Sequence, residues 1–84
     1  MYTRDGCHLC EETRDTLQAA LEARVLRGAP IAAVREIDID ADPELRARFN
    51  DLVPVLAFNG TELPLAMGRR VIDGFLDRVL PRLA

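Results

Sequence analysis

The sequence predicts an α/β domain of element order β-α-β-α-β-β-α, closed as a four-stranded mixed sheet with helices on both faces. Three observations carry that prediction. Apolar residues switch along the chain between a spacing of two and a helical spacing. Strand-like and helix-like segments alternate, the pattern of an α/β unit whose first crossover is parallel and right-handed. Asn59-Gly60 between two short apolar runs marks one tight hairpin. At 84 residues the chain is long enough for one domain, spanning 1–84.

Each element has its own signal. Met1 to Arg4 reads as a short strand end, with Asp5-Gly6 as a turn. A helix is expected to begin near Cys7 or Leu9. Glu11, Glu12 and Asp15 fall in its first turns and Arg24 and Arg27 in its last, matching the helix dipole. Leu9, Thr13, Leu17, Leu21 and Val25 form its apolar stripe, with Ala20 beside it, and Gly28 and Pro30 stop it. Ile31 to Asp40 reads as a strand because Ile37 and Ile39 alternate with Asp38 and Asp40. Asp42-Pro43 is an N-cap followed by proline in the first turn, with Leu45 and Phe49 on one side of the short helix. Leu52 to Phe58 is an apolar strand interrupted by Pro54, and Thr61 to Leu65 returns antiparallel. Val71, Ile72, Phe75, Leu76, Val79, Leu80 and Leu83 give the last helix its buried face, and Pro81 disturbs its end.

Composition narrows the function. Hydrophobic residues make up 49% of the chain and charged residues 30%, with a net charge of −3. There is no basic surplus to neutralise phosphates, so nucleic acid is not an expected partner. No apolar run approaches a membrane span, and the first residues carry no apolar signal segment. A cytoplasmic monomer is expected. All 11 basic residues are arginine, so every side-chain cation except a protonated His8 is a guanidinium, a group suited to carboxylates.

Cys7-His8-Leu9-Cys10 is the motif that carries chemistry. It follows a predicted strand and turn and opens a helix. Backbone N–H groups and the dipole at a helix start stabilise a thiolate. Three residues of helix bring Cys10 beneath Cys7, close enough to bridge. Cys7, at the exposed end, is the expected attacking thiolate, and Cys10 the thiol that resolves the mixed disulfide. Stapling explains the pair poorly, because so short a loop stabilises by only ~2 kcal/mol on the chain-entropy model. His8 either adds positive charge beside the thiolate or is a solvated bystander. A closed zinc site needs four ligands, and two cysteines with one histidine fall short.

Val53-Pro54 is the second feature. A cis bond there would present the backbone of Val53 to a peptide-like substrate, while the sequence alone favours an ordinary trans bond at a strand start. Asp38 and Asp40 are read as the solvated side of a strand.

Tyr2-Thr3-Arg4-Asp5-Gly6-Cys7-His8-Leu9-Cys10, followed by Leu52-Val53-Pro54-Val55, resembles the short bacterial glutaredoxin-like proteins of the thioredoxin-fold superfamily. The resemblance implies a thioredoxin-like fold, Cys7 as nucleophile and Cys10 as resolving thiol. It implies a cis Pro54 beside the dithiol, with Val53 offering its backbone to glutathione or a substrate peptide. Arg4 takes the place of the family's basic residue and would hold a glutathione carboxylate. Two departures stand out. His8-Leu9 replaces the usual Pro-Tyr pair. Ala66-Met67-Gly68-Arg69-Arg70 replaces a Gly-Gly turn with an acidic or hydroxyl residue.

The expected function is thiol–disulfide exchange on protein or glutathione mixed disulfides, with Cys7 and Cys10 catalytic and Arg4, His8, Val53 and Pro54 binding substrate. No cofactor or metal is expected, and glutathione enters as co-substrate. The alternative is a metal or iron–sulfur cluster module that uses Cys7 with glutathione or a dimer partner. A third reading is an adaptor without turnover.

Overall fold

In the computed structural model, which describes residues 1–80, α1 and α2 each start at a side-chain cap and α1 stops at a glycine. The order is β1 (Tyr2–Thr3), α1 (His8–Leu26), β2 (Ile37–Asp38), a 3-10 turn (Ile39–Ala41), α2 (Pro43–Phe49), β3 (Leu56–Phe58), β4 (Thr61–Leu63) and α3 (Arg69–Val79). Cys7 caps α1. At the other end Gly28 sits at φ 71°. There Ala29 N–H donates to the Arg24 carbonyl (2.9 Å) and Gly28 N–H to that of Val25 (3.1 Å). This is a Schellman closure, which requires the left-handed conformation glycine adopts freely. Asp42 caps α2 by accepting from Glu44 N–H at 2.9 Å, with Pro43 in the first turn.

The expected single four-stranded sheet is not what forms. β1 pairs with β2 in parallel, Tyr2 opposite Ile37, and β3 pairs with β4 antiparallel, Leu56 opposite Leu63. The two ribbons touch through one antiparallel pair, Tyr2 with Val55. Tyr2 N–H donates to Val55 (2.8 Å) and Val55 N–H to Tyr2 (3.2 Å). The ladder cannot continue past that pair. The next exchange of hydrogen bonds in this register would join Arg4 to Val53, and the Arg4 carbonyl turns instead to accept from Cys7 N–H at 3.3 Å.

Two strand predictions shorten for local reasons. Of residues 31–40 only Ile37–Asp38 is strand, and it ends where Asp38 caps a 3-10 turn by accepting from Asp40 N–H at 2.9 Å. Of residues 52–58 only Leu56–Phe58 is strand, with Val55 in the bridge. The Asn59-Gly60 hairpin forms as expected, both residues having positive φ (48° and 85°) between Phe58 and Thr61. That backbone matches the twist of the strands it joins.

The core lies on both faces of the strands, as their period of two requires. Leu56 joins Cys10, Leu17, Ala20, Ile72, Phe75 and Leu76 beneath α1 and α3. Its neighbour Val55 joins Ile39 and Phe49 beneath α2. Tyr2 stacks on Phe49 with ring centroids 4.5 Å apart, and Arg48 covers that ring from 4.5 Å.

The expected stripe of α1 is corrected at its ends. Leu9 and Val25 are exposed, and the buried residues are Cys10, Thr13, Leu17, Ala20 and Arg24. A line of i+4 steps drifts about 40° per step around a helix of 3.6 residues per turn, whereas alternating steps of three and four stay on one face. On α3, Ile72, Phe75 and Leu76 are buried, with Leu80 just beyond, while Val71 faces solvent. Leu83 and Pro81 lie outside the described residues.

Candidate functional site

The site assembles where α1 begins. The Asp5-Gly6 turn, with Gly6 at φ 73°, brings Cys7 to the N-cap position. Cys7 and Cys10 form a disulfide with Cα atoms 5.2 Å apart, within the span a disulfide bridges. Cys7 Sγ accepts from Cys10 N–H at 3.1 Å. Cys10 is 1% exposed and belongs to the core, whereas Cys7 is half-buried at its edge. One cysteine is therefore partly open to solvent and the other is enclosed.

Val53 and Pro54 belong to the segment packed against the core cluster that holds Cys10. The Val53–Pro54 peptide bond is cis, and Val53 packs against both core clusters. The Leu52 carbonyl accepts from Leu65 N–H (2.9 Å) and the Pro54 carbonyl from Ala66 N–H (2.8 Å). Val53 lies between them, and its own N–H and C=O have no backbone partner among the described residues. The Ala66 carbonyl accepts from Thr13 Oγ1 at 2.6 Å in a buried hydrogen bond. Thr13 lies three residues after Cys10, so one chain of hydrogen bonds ties α1 to Ala66 and on to Pro54. Sequence reasoning placed Thr13 only in an apolar stripe. The available signal was a polar residue where a core helix wants an aliphatic one.

Arg4 is already engaged. Its Nε donates to Asp40 Oδ2 (3.0 Å), Nη2 to Oδ1 (2.7 Å) and Nη1 to the Asn50 carbonyl (3.1 Å). Hydrogen bonding to Arg4 holds the Asp40 carboxyl below its ordinary range, and the same bonds hold Arg4 protonated to higher pH. A ligand carboxylate at Arg4 has to compete with Asp40. The exposed His8 ring lies along the helix surface, Nδ1 3.8 Å from Glu11 and Nε2 3.4 Å from Glu12. Arg69 is paired with Asp73 one turn along α3 at 3.0 Å.

No group of three or more histidine, cysteine or acidic side chains placed to hold a metal occurs among the described residues. No helix among them is long and apolar enough to cross a membrane. An apolar cleft of about 260 Å³ opens between α1, α3 and β3, lined by Leu17, Leu21, Phe75 and Val79. None of Arg4, Cys7, His8, Cys10, Val53 or Pro54 borders it.

Comparison with known proteins agrees with this geometry. Residues 1–79 match the model of the glutaredoxin-like domain family (DUF836). The chain is 31% identical to the X-ray structure of target protein XcR50 from X. campestris, with 92% of each chain covered and a TM-score of 0.73. It is 30% identical to the solution structure of XcR50, covering 99% of this chain and 95% of that one, with a TM-score of 0.72. None of the curated proteins matches it.

Proposed function

Because the chain belongs to the glutaredoxin-like domain family, we propose that it is a thiol–disulfide oxidoreductase working through Cys7 and Cys10. The observation that carries the reading is the asymmetric pair: a half-buried sulfur capping a helix, bridged to a buried one. A structural disulfide gains nothing from that exposure, whereas exchange needs one sulfur accessible and one in reserve.

In the reduced protein the Cys10 N–H and the start of α1 favour the Cys7 thiolate. That thiolate attacks one sulfur of a substrate R–S–S–R′. A Cys7–S–S–R bond forms, and R′–S⁻ leaves and takes a proton. Cys10, deprotonated as it reacts, attacks the Cys7 sulfur, and R–S⁻ leaves and is protonated. The substrate gains two electrons, and the protein is left as the Cys7–Cys10 disulfide. A thiol reductant, two glutathione molecules or a protein dithiol, returns it to the start by the reverse exchange. No cofactor is required. On this reading Val53, whose backbone N–H and C=O have no backbone partner among the described residues, offers them to a substrate lying extended past Cys7.

The test is turnover of a mixed disulfide, driven first by glutathione and then by a thioredoxin-type reductant. Turnover with either, abolished by Cys7→Ser, is the expected result. Thiols that stay unreactive toward every disulfide while the protein remains folded overturn the reading.

A further inference from the structure

We propose that the dithiol site takes an extended polypeptide disulfide with apolar residues beside its cysteine, in preference to glutathione disulfide; the proposal rests on the exchange reading above. Four partly exposed apolar side chains lie on the segments tied to the start of α1. Leu9, Leu52, Leu65 and Met67 are each between 36% and 45% exposed. Leu9 sits between the two cysteines in sequence. Leu65 and Leu52 are backbone neighbours through their 2.9 Å hydrogen bond. Leu65 and Met67 flank Ala66, which is fully buried and held between Thr13 and Pro54. Met67 and Gly68 border Glu12, Thr13 and Thr16 of α1. The exposed apolar surface thus follows the same hydrogen-bonded path that joins α1 to Val53.

Leu65 strengthens the case. It has φ 49°, a left-handed conformation. A residue with a Cβ pays roughly 1–2 kcal/mol there, and glycine or asparagine largely avoids it. A half-exposed leucine gains little burial to offset that cost. Its side chain is placed where a bound chain can cover it. Strained positions of this kind concentrate at binding sites.

The polar groups point the same way. Val53 offers one N–H and one C=O with no backbone partner among the described residues, the pairing that an extended polypeptide completes. Glutathione carries two carboxylates and wants free cations. Arg4 is held bidentately by Asp40 and Arg69 is paired through Nε with Asp73, so that of these and Arg70 only Arg70 has no ion pair among the described residues. Glu11 and Glu12 follow Cys10 directly and repel an anionic ligand.

The experiment measures the second-order rate at which the reduced protein loses its two thiols. Four probes are compared: the disulfide dimer of a short peptide with valine and leucine around one cysteine, the same peptide with serine and glutamine instead, glutathione disulfide, and bis(2-hydroxyethyl) disulfide as a small neutral reference. The apolar peptide is expected to react at least about tenfold faster than the polar peptide and glutathione disulfide, the equivalent of ~1.4 kcal/mol. In Leu65→Asn/Met67→Gln the ratio of the apolar-peptide rate to the reference rate falls about tenfold. Asparagine keeps the left-handed backbone, and reaction with the reference shows that the site has folded. Glutathione disulfide reacting fastest, or equal ratios in variant and wild type, overturns the proposal and leaves exchange standing. No reaction with any probe overturns both.

Discussion

The buried hydroxyl of Thr13 is the joint on which the site's alignment turns, and replacing it by an isosteric methyl isolates that role. Thr13→Val keeps the shape of the side chain and removes the donor that meets the Ala66 carbonyl at 2.6 Å. Ala66 is fully buried, so its carbonyl is left without a partner in an apolar surrounding. Such a group costs about 1–3 kcal/mol. The added methyl offsets part of that, which leaves a net loss of ~1–2 kcal/mol. For a domain of this size each kcal/mol lowers Tm by roughly 4–8 °C. In urea the midpoint falls by about 1–2 M if the slope is near ~1 kcal/mol/M. Thr13→Ser provides the contrast: it keeps the hydroxyl and loses one methyl, worth about 0.8 kcal/mol. The serine variant should retain the wild-type rate of disulfide exchange. The valine variant should lose several-fold, because Ala66 no longer fixes Pro54 and Val53 against α1. Urea melts of the oxidised proteins and stopped-flow thiol oxidation of the reduced ones measure the two effects. A valine variant as stable and as fast as wild type would refute the reasoning, as would a serine variant that loses as much rate as valine.

Three further outcomes follow from the same geometry. Cys10→Ser should still attack a mixed disulfide through Cys7 but fail to release the product, so mass spectrometry should find one adduct per chain, on Cys7 and removed by a thiol reductant. The Asp40 carboxyl has its folded pKa depressed by Arg4, so the stability it contributes is present above the ordinary aspartate range and is lost as pH falls through the folded pKa. The difference in urea midpoint between wild type and Asp40→Asn should therefore shrink as pH is lowered from 5 to below 3, and a difference independent of pH would rule out the Arg4 pairing as its source. Arg24 is buried, donating to the Pro30 carbonyl (2.7 Å) and to Asp77 (2.6 Å), and Asp77 itself is more than half exposed. Asp77→Asn should cost about 1–2 kcal/mol by urea denaturation, short of the ~3–5 kcal/mol of a fully buried pair because water reaches the carboxylate side.

Local signals reached the elements and the dithiol, and long-range pairings lay beyond them. The order of strands and helices, the caps at Cys7 and Asp42, the glycine stop and the Asn59-Gly60 turn all depend on residues within a few positions of one another. Cys7 and Cys10 belong to the same class, since one helical turn places both. The sheet did not follow, because its closure depends on what Arg4 and Val53 do with their backbone groups when the two ribbons meet. Ile37 and Ile39 alternate as a strand would, yet the backbone turns at Asp38, whose carboxylate caps the next residues and leaves Ile39 to fill the core from a 3-10 turn. Arg4 shows the limit most plainly. Its type and position beside the motif suggest a ligand-binding cation, and its partner Asp40 lies 36 residues away, a pairing that no spacing along the chain announces. Leu65 is similar: its positive φ is imposed by hydrogen bonds from its own and the next amide to the 52–54 segment, and leucine carries no local preference for it.

The charges around Cys7 oppose one another, and the balance bears on how the dithiol works. The amide of Cys10 and the N-terminus of α1 place partial positive charge at the Cys7 sulfur. A thiolate accepts that hydrogen bond more strongly than a disulfide sulfur does, so the cap favours the reduced form. Glu11 and Glu12, one turn along, favour the uncharged or oxidised form, because their carboxylates repel a thiolate. His8 lies within 3.8 Å of Glu11 and 3.4 Å of Glu12, and when protonated it cancels part of that repulsion from the helix side rather than by contact with sulfur. A site that stabilised its thiolate strongly would be a poor attacking thiol, since nucleophilicity falls with pKa. On the proposed exchange reading, the backbone would activate Cys7 while the carboxylates limit the activation, an arrangement that suits a thiol which attacks a disulfide and then leaves it again.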